Sequence, residues 1–194
     1  MSYQWRKEMQ CPWDKSFKKY KDWYPEYYKT KYEICKKINP GTIVEIGVRA
    51  GYSADAFLQA CPTATYIGYD ADNGQHGGKK GLFAKPYMEW AKKHLALYDY
   101  NVTINFPVDS QKVDTLALAD FYHIDGDHSK EGVMHDLDTC YNSAELGAHL
   151  LIDDIDYIDD VKDGVYEWLE IHKDSITYEY IETKRGDILM KKIK

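Results

Sequence analysis

The chain has 194 residues, with 25 Lys and Arg against 32 Asp and Glu, a formal charge of −7 and 44% hydrophobic residues. This is the composition of one soluble globular domain with a sizeable core; it excludes a disordered, collagen-like or disulfide-dense chain. No apolar run approaches the ~18–20 residues of a bilayer span, and the opening MSYQWRKEMQ lacks the apolar centre of a secretory signal, so a cytoplasmic protein is expected. The four cysteines, Cys11, Cys35, Cys61 and Cys140, form no CxxC pair, which favours reduced thiols over a zinc knot or a disulfide framework. Charge is uneven: residues 1–40 hold 10 Lys and Arg against 5 Asp and Glu, and the remainder 15 against 27.

In chain order, the basic first segment is crowded with aromatics: Tyr3, Trp5, Trp13, Tyr20, Trp23, Tyr24, Tyr27, Tyr28 and Tyr32. Tyr28, Tyr32, Cys35 and Ile38 recur at helical spacing, which predicts a helix over Tyr27 to Ile38, stopped by Asn39-Pro40-Gly41. The period then changes. Thr42 to Ile46 is a short β-branched run closed by glycine, Ser53 to Ala60 reads as helix, and Ala64 to Tyr69 as strand. A glycine-rich loop from Ala71 to Gly81 leads to a helix over Pro86 to Leu97. Strand and helix alternate again over Val102 to Phe106, Gln111 to Leu116, Phe121 to Ile124, Lys130 to Glu145, His149 to Ile152 and Ile158 to His172. The tail reads as an antiparallel hairpin, Ile176 to Ile181 and Asp187 to Lys192, joined through Thr183-Lys184-Arg185-Gly186.

Alternation of this kind predicts a doubly wound α/β fold: a mostly parallel seven-stranded sheet, helices on both faces, and a C-terminal antiparallel hairpin. The expected division is an aromatic and basic helical lid over 1–40 and a ligand-binding domain over 41–194. Residues 1–26 are expected to close over the crevice beyond the strands' carboxyl ends, either within one subunit or across a homo-oligomer.

Sheets of this type bind ligands beyond the carboxyl ends of their strands. After the first strand comes Glu45-Ile46-Gly47-Val48-Arg49-Ala50-Gly51-Tyr52-Ser53, whose glycines permit a sharp turn into a helix start that can hold an anion. Arg49 stands where a dinucleotide motif needs glycine, so a pyrophosphate is disfavoured. Asp70 ends the second strand, where an acid can accept from both ribose hydroxyls; Asp109 and Ser110 follow the third, within reach of an adenine edge. Asp125, Asp153 and Asp154 each sit directly behind an apolar strand. Carboxylates gathered there repel one another unless neutralised, and an all-oxygen set suits Mg²⁺. His128 and Asp127, in the same loop as Asp125, compete for the role of general base.

Together these segments resemble class I S-adenosylmethionine-dependent methyltransferases, with a Rossmann-like fold. Val44 to Ser53 looks like the first motif of catechol O-methyltransferases. His123-Ile124-Asp125-Gly126-Asp127-His128 with Leu151-Ile152-Asp153-Asp154 is closer to the macrocin O-methyltransferase group, of the methyltransferase family 24 type, which methylates sugar hydroxyls. The resemblance runs from about residue 27 to the C-terminus. It implies that Glu45, Gly47 and Ser53 line the cofactor's methionine end, with Asp70 at the ribose and Asp109 and Ser110 at the adenine, and that Arg49, Gly51, Tyr52 and Asp125 also bind the cofactor. It also implies that Asp125, Asp153 and Asp154 ligate Mg²⁺ or a similar ion, and that His128 stands where catechol-type enzymes place a lysine base. The expected reaction is metal-dependent methylation of a hydroxyl on a small molecule, sugar or glycoside. An RNA methyltransferase using the basic aromatic N-terminus is disfavoured by the net −7, and a non-catalytic cofactor- or carbohydrate-binding protein is the third reading.

Overall fold

The computed structural model describes residues 2–72 and 85–194, leaving aside the side chains of 16–18 and 99–100; residues 73–81 of the expected glycine-rich loop therefore lie outside the described residues. The elements are α1 (Lys15–Tyr20), α2 (Tyr24–Ile38), β1 (Thr42–Ile46), α3 (Tyr52–Ala60), β2 (Thr65–Tyr69), α4 (Lys85–Leu95), β3 (Val102–Asn105), β4 (Phe121–Ile124), α5 (Lys130–Ser143), β5 (His149–Ile152), α6 (Asp159–Ile171), β6 (Ile176–Ile181) and β7 (Asp187–Lys192). One seven-stranded sheet has the order β3-β2-β1-β4-β5-β7-β6. The first five in that order are parallel, and β7 runs antiparallel between β5 and β6. The expected helix over Gln111 to Leu116 is instead a single 3-10 turn, Ser110–Lys112, because Asp109 caps it through Gln111 N and the following residues extend.

Strand order reverses at β1, which pairs with β2 on one side and β4 on the other. Crossovers leave this point toward opposite edges of the sheet and open a crevice at the strands' carboxyl ends. Two apolar cores cover the sheet. One joins α2, α3 and α4 to Ile43, Phe121, Leu151 and Leu189; the other joins α5 and α6 to Val44, Tyr122, Leu150 and Ile188. The period of two along each strand assigns these faces. It also puts Glu45, His123, Asp153 and Asp187 on the first face, where four neighbouring strands lay a polar seam under α2.

Helix α2 carries Pro25 in its first turn and ends on Asn39 in the left-handed conformation (φ 53°), with Glu26 near the positive end of its dipole and Lys36 and Lys37 near the negative end. Ahead of it, much of the segment 2–23 packs into the first core. Met9, Cys11 and Tyr24 are buried in the same cluster as Ile43 and Phe57. Trp90 Nε1 donates to the Met9 carbonyl (3.0 Å), Tyr87 Oη to the Trp13 carbonyl (3.0 Å), and Arg6 pairs with Asp55 at 2.6 Å. Trp5 packs against Tyr24, Tyr28 and Tyr52. The aromatic surplus is therefore largely consumed in joining this segment to α2, α3 and α4.

Candidate active site

The turn from β1 into α3 forms one wall of a cleft at the sheet's carboxyl edge, lined by Gly47, Val48, Arg49, Ala50, Tyr52 and Ser53. Gly47 has φ 89°, and a Cβ there would lie 1.9 Å from the Asp125 carbonyl oxygen, so only glycine lets β1 turn this close to the end of β4. Gly51 is the N-cap of α3 at φ 78° and supplies no side-chain cap, which leaves the first amides of the helix for an anionic group. Asp70 accepts from Arg49 N at 2.7 Å, tying the end of β2 to this turn. Burial pushes the Asp70 carboxyl up to about 6 despite that amide. These residues fit S-adenosylmethionine: helix-start amides for its carboxylate and an acid at the second strand for its ribose. Asp109 and Ser110 are placed differently from the rest. Asp109 Oδ1 accepts from Gln111 N (3.1 Å) and its Oδ2 pairs with Lys112 (3.0 Å), within the short turn after β3.

Glu45 is fully buried behind that wall. It accepts from Ser53 Oγ and Tyr66 Oη, and its Oε1 lies 2.7 Å from His123 Nδ1. It thus holds Ser53 and the first turn of α3 in place from below.

The loop after β4 carries Asp125, which lines the cleft, and brings His128 onto it, with His128 Nε2 3.2 Å from Asp125 Oδ1 and 3.7 Å from Asp154 Oδ2. Burial disfavours the imidazolium, but Asp125 and Asp154 outweigh it and raise the His128 pKa above its usual value. Asp127 is engaged elsewhere: its Oδ1 accepts from Ser129 N (2.8 Å), and its side chain lies against Gly132 at the start of α5. Of the two candidate bases, His128 is the one that joins the carboxylate cluster.

The three aspartates expected to chelate a metal do not form one site. Asp153 is drawn into the buried seam, where its carboxylate accepts from Lys31 Nζ and from Tyr27 Oη (2.8 Å) and lies 3.3 Å from His123 Nε2. Burial works against its charged form, yet Lys31 and His123 hold the carboxyl below the usual carboxylate range. Asp154 turns the other way: its backbone is left-handed (φ 66°), and its Oδ1 takes Arg185 Nη1 at 2.7 Å. Among the described residues, the group whose ligand atoms come within 4.8 Å of one another is Asp125, His128 and Asp154, and one of these already carries a guanidinium. The all-oxygen Mg²⁺ site read from the sequence does not fit these residues.

Sequence reasoning missed Lys31 and Arg185. Lys31 lies four residues after Tyr27 and four before Cys35, so helical spacing alone puts it on the buried face of α2; its charge argued against a core position. Arg185 was visible only as a turn residue between β6 and β7. Nothing local marks it as a neighbour of Asp154.

Residues 44–155 match the protein-family model described as "Methyltransferase domain". No curated protein matches the sequence. Similar solved structures include the O-methyltransferase TomG of Streptomyces achromogenes, involved in tomaymycin synthesis and solved with S-adenosylmethionine (16% identity, 98% of this chain and 92% of that one, TM-score 0.66). A Podospora anserina methyltransferase bound to S-adenosylhomocysteine (11%, 100% and 91%, TM-score 0.68) and a Bacillus cereus O-methyltransferase with the same ligand (15%, 87% and 81%, TM-score 0.65) are likewise similar in fold. The family match spans more than half of the sequence, and with the strand order and the β1 turn it leads to one conclusion: the chain belongs to the methyltransferase-domain family and is a class I S-adenosylmethionine-dependent methyltransferase.

Proposed function

We propose that this protein transfers methyl groups to a hydroxyl of a small, ring-bearing molecule such as a sugar, glycoside or phenol, and that it works in the cytoplasm. The observation that carries the reading is the His128–Asp125 pair: Asp125 lines the cleft, and its backbone packs against Gly47 of the anion-holding turn. A hydroxyl must lose its proton as it attacks carbon, and an imidazole oriented by a carboxylate is suited to take it. With Nε2–H donating to Asp125, Nδ1 is the basic nitrogen. S-adenosylmethionine, when bound, supplies a methyl group already activated on its sulfonium. The chain's residues then align the acceptor oxygen, accept its proton and exclude water. Tyr24, Tyr27, Tyr28 and Tyr52 line the cleft, and their packed rings give it an aromatic wall against which a small acceptor can rest.

The tyrosine-lined cleft favours a small acceptor over RNA, since Trp5, Tyr24 and Tyr28 stack among themselves and on Tyr52 and so present no open platform for bases. Calorimetry with S-adenosylhomocysteine, followed by turnover of S-adenosylmethionine against a panel of glycosides, phenols and catechols, tests the proposal. Well-folded protein that fails to bind S-adenosylhomocysteine refutes it at the first step; binding without methylation of any acceptor favours a non-catalytic cofactor-binding role.

A further inference from the structure

Asp125, Asp154, Glu45, Asp153 and Asp187 each have a basic side chain of the same chain beside them. His128 is 3.2 Å from Asp125, Arg185 2.7 Å from Asp154, and His123 2.7 Å from Glu45. Lys31 contacts Asp153 directly and lies 3.9 Å from Asp187. Lys31 is wholly buried, so it has no aqueous alternative to these partners. Arg185 enters from the β6–β7 turn and lines the cleft together with Asp125, Gly47 and Tyr27, its guanidinium stacking 4.9 Å from the Tyr157 ring centre. Arg185 Nε is buried without a hydrogen-bond partner, so part of its donor set is unspent.

We propose that Arg185 and Lys31 take the place of a divalent ion in this protein: they neutralise Asp154 and Asp153 from within, no metal is bound between the strand ends, and methyl transfer proceeds without one. A dication suits clustered carboxylates because they repel one another, and here the Arg185 guanidinium on Asp154 and the Lys31 ammonium on Asp153 already offset part of that repulsion, although burial and the neighbouring Asp125 still push the Asp154 carboxyl up to about 6. A metal entering on Asp154 would meet the guanidinium at the same carboxylate. One reaching for Asp153 would have to displace a buried ammonium and leave it unpaired, which is strongly unfavourable. Arg185 is then the fixed positive charge facing the cleft, suited to an acceptor oxygen that gains negative charge as His128 takes its proton. The atoms balance without a metal: the acceptor's O–H proton goes to the imidazole, the oxygen–methyl bond forms as the sulfonium–methyl bond breaks, and S-adenosylhomocysteine leaves neutral at sulfur.

This inference rests on the methyl-transfer reading, and the test separates the two. Mn²⁺ binding to the full chain is followed by electron paramagnetic resonance, with and without saturating S-adenosylhomocysteine, whose own binding is measured by calorimetry in parallel. Wild type is expected to leave the free-Mn²⁺ signal undiminished while binding S-adenosylhomocysteine. Arg185→Met, which frees Asp154, is expected to strengthen Mn²⁺ binding about tenfold or more; Arg185→Gln serves the same purpose should the Met variant fail to fold. Stoichiometric Mn²⁺ binding by wild type that disappears in Asp154→Asn overturns the inference. So does a folded Arg185 variant with no gain in Mn²⁺ affinity, because the guanidinium would then not be what keeps metal out. Loss of S-adenosylhomocysteine binding by wild type strikes at the methyltransferase reading alone.

Discussion

Lys31 on α2 and Asp153 at the end of β5, 122 residues apart in sequence, form an ion pair from which water is excluded. Breaking such a pair leaves one charge buried alone, so Lys31→Met or Asp153→Asn is expected to cost roughly 3–5 kcal/mol. The double variant removes both charges and should recover much of that loss. Asp187 differs. Burial, with Asp153 beside it, pushes its carboxyl up to about 8 against the pull of Lys31, so it is largely neutral at pH 7. Asp187→Asn therefore is expected to change stability by less than about 1 kcal/mol. Urea denaturation of the four variants checks the order; equal losses for Asp153→Asn and Asp187→Asn would contradict it.

The same seam sets a pH dependence. Burial and Lys31 oppose protonation of His123, but Asp153 and Glu45 outweigh them and raise its pKa to about 9. An imidazole with a folded pKa above its unfolded value of about 6.5 contributes stability that is fully present below that value and is lost as pH rises through 9. Asp187, also raised, binds a proton more tightly in the folded chain and pulls in the same direction as pH rises toward 8. Stability is thus expected to decline between about pH 6.5 and 9, and His123→Asn should flatten the decline. Urea midpoints that rise over this range would rule out the assignment.

His128 is expected to titrate above its ordinary value because Asp125 and Asp154 favour its protonated form against the cost of burial. Asp125→Asn should move the midpoint down, and NMR titration of the imidazole resonances reads both without an acceptor. Once an acceptor is in hand, His128→Ala should lower turnover by about 10²–10⁴ and leave S-adenosylhomocysteine affinity within a few-fold, since a general base acts on the acceptor's proton. A matching loss of cofactor affinity would place His128 in the cofactor pocket instead.

Deleting residues 2–14 should do more than open a lid. The deletion removes Met9 and Cys11 from the first core, Asp14 from its 2.8 Å pair with Arg49 in the β1 turn, and the backbone acceptors of Trp90 and Tyr87. The expected result is a protein that melts several degrees lower or precipitates, and that has weakened S-adenosylhomocysteine binding through Arg49. A truncated chain with unchanged melting temperature and cofactor affinity would restore the picture of a separable flap.

The sequence alone was enough for the architecture and for the glycine turn after the first strand. Strand and helix differ in period, so the alternation over Thr42 to Lys192 is local information, and the parallel core with its terminal hairpin follows from it. The turn from Glu45 to Ser53 was equally legible, because glycine at Gly47 and Gly51 is a local conformational requirement met at φ 89° and 78°. What no local pattern contained was the partner of each charged group. Asp125, Asp153 and Asp154 look alike in sequence, each an acid behind an apolar strand. Tertiary contacts divide them: a left-handed residue at Asp154 and a lysine on the buried face of α2 send neighbouring carboxylates to different cations, Arg185 and Lys31. The chemistry of a carboxylate depends on the charges within a few ångströms of it, and those charges arrive here from residues 31 to 122 positions away along the chain.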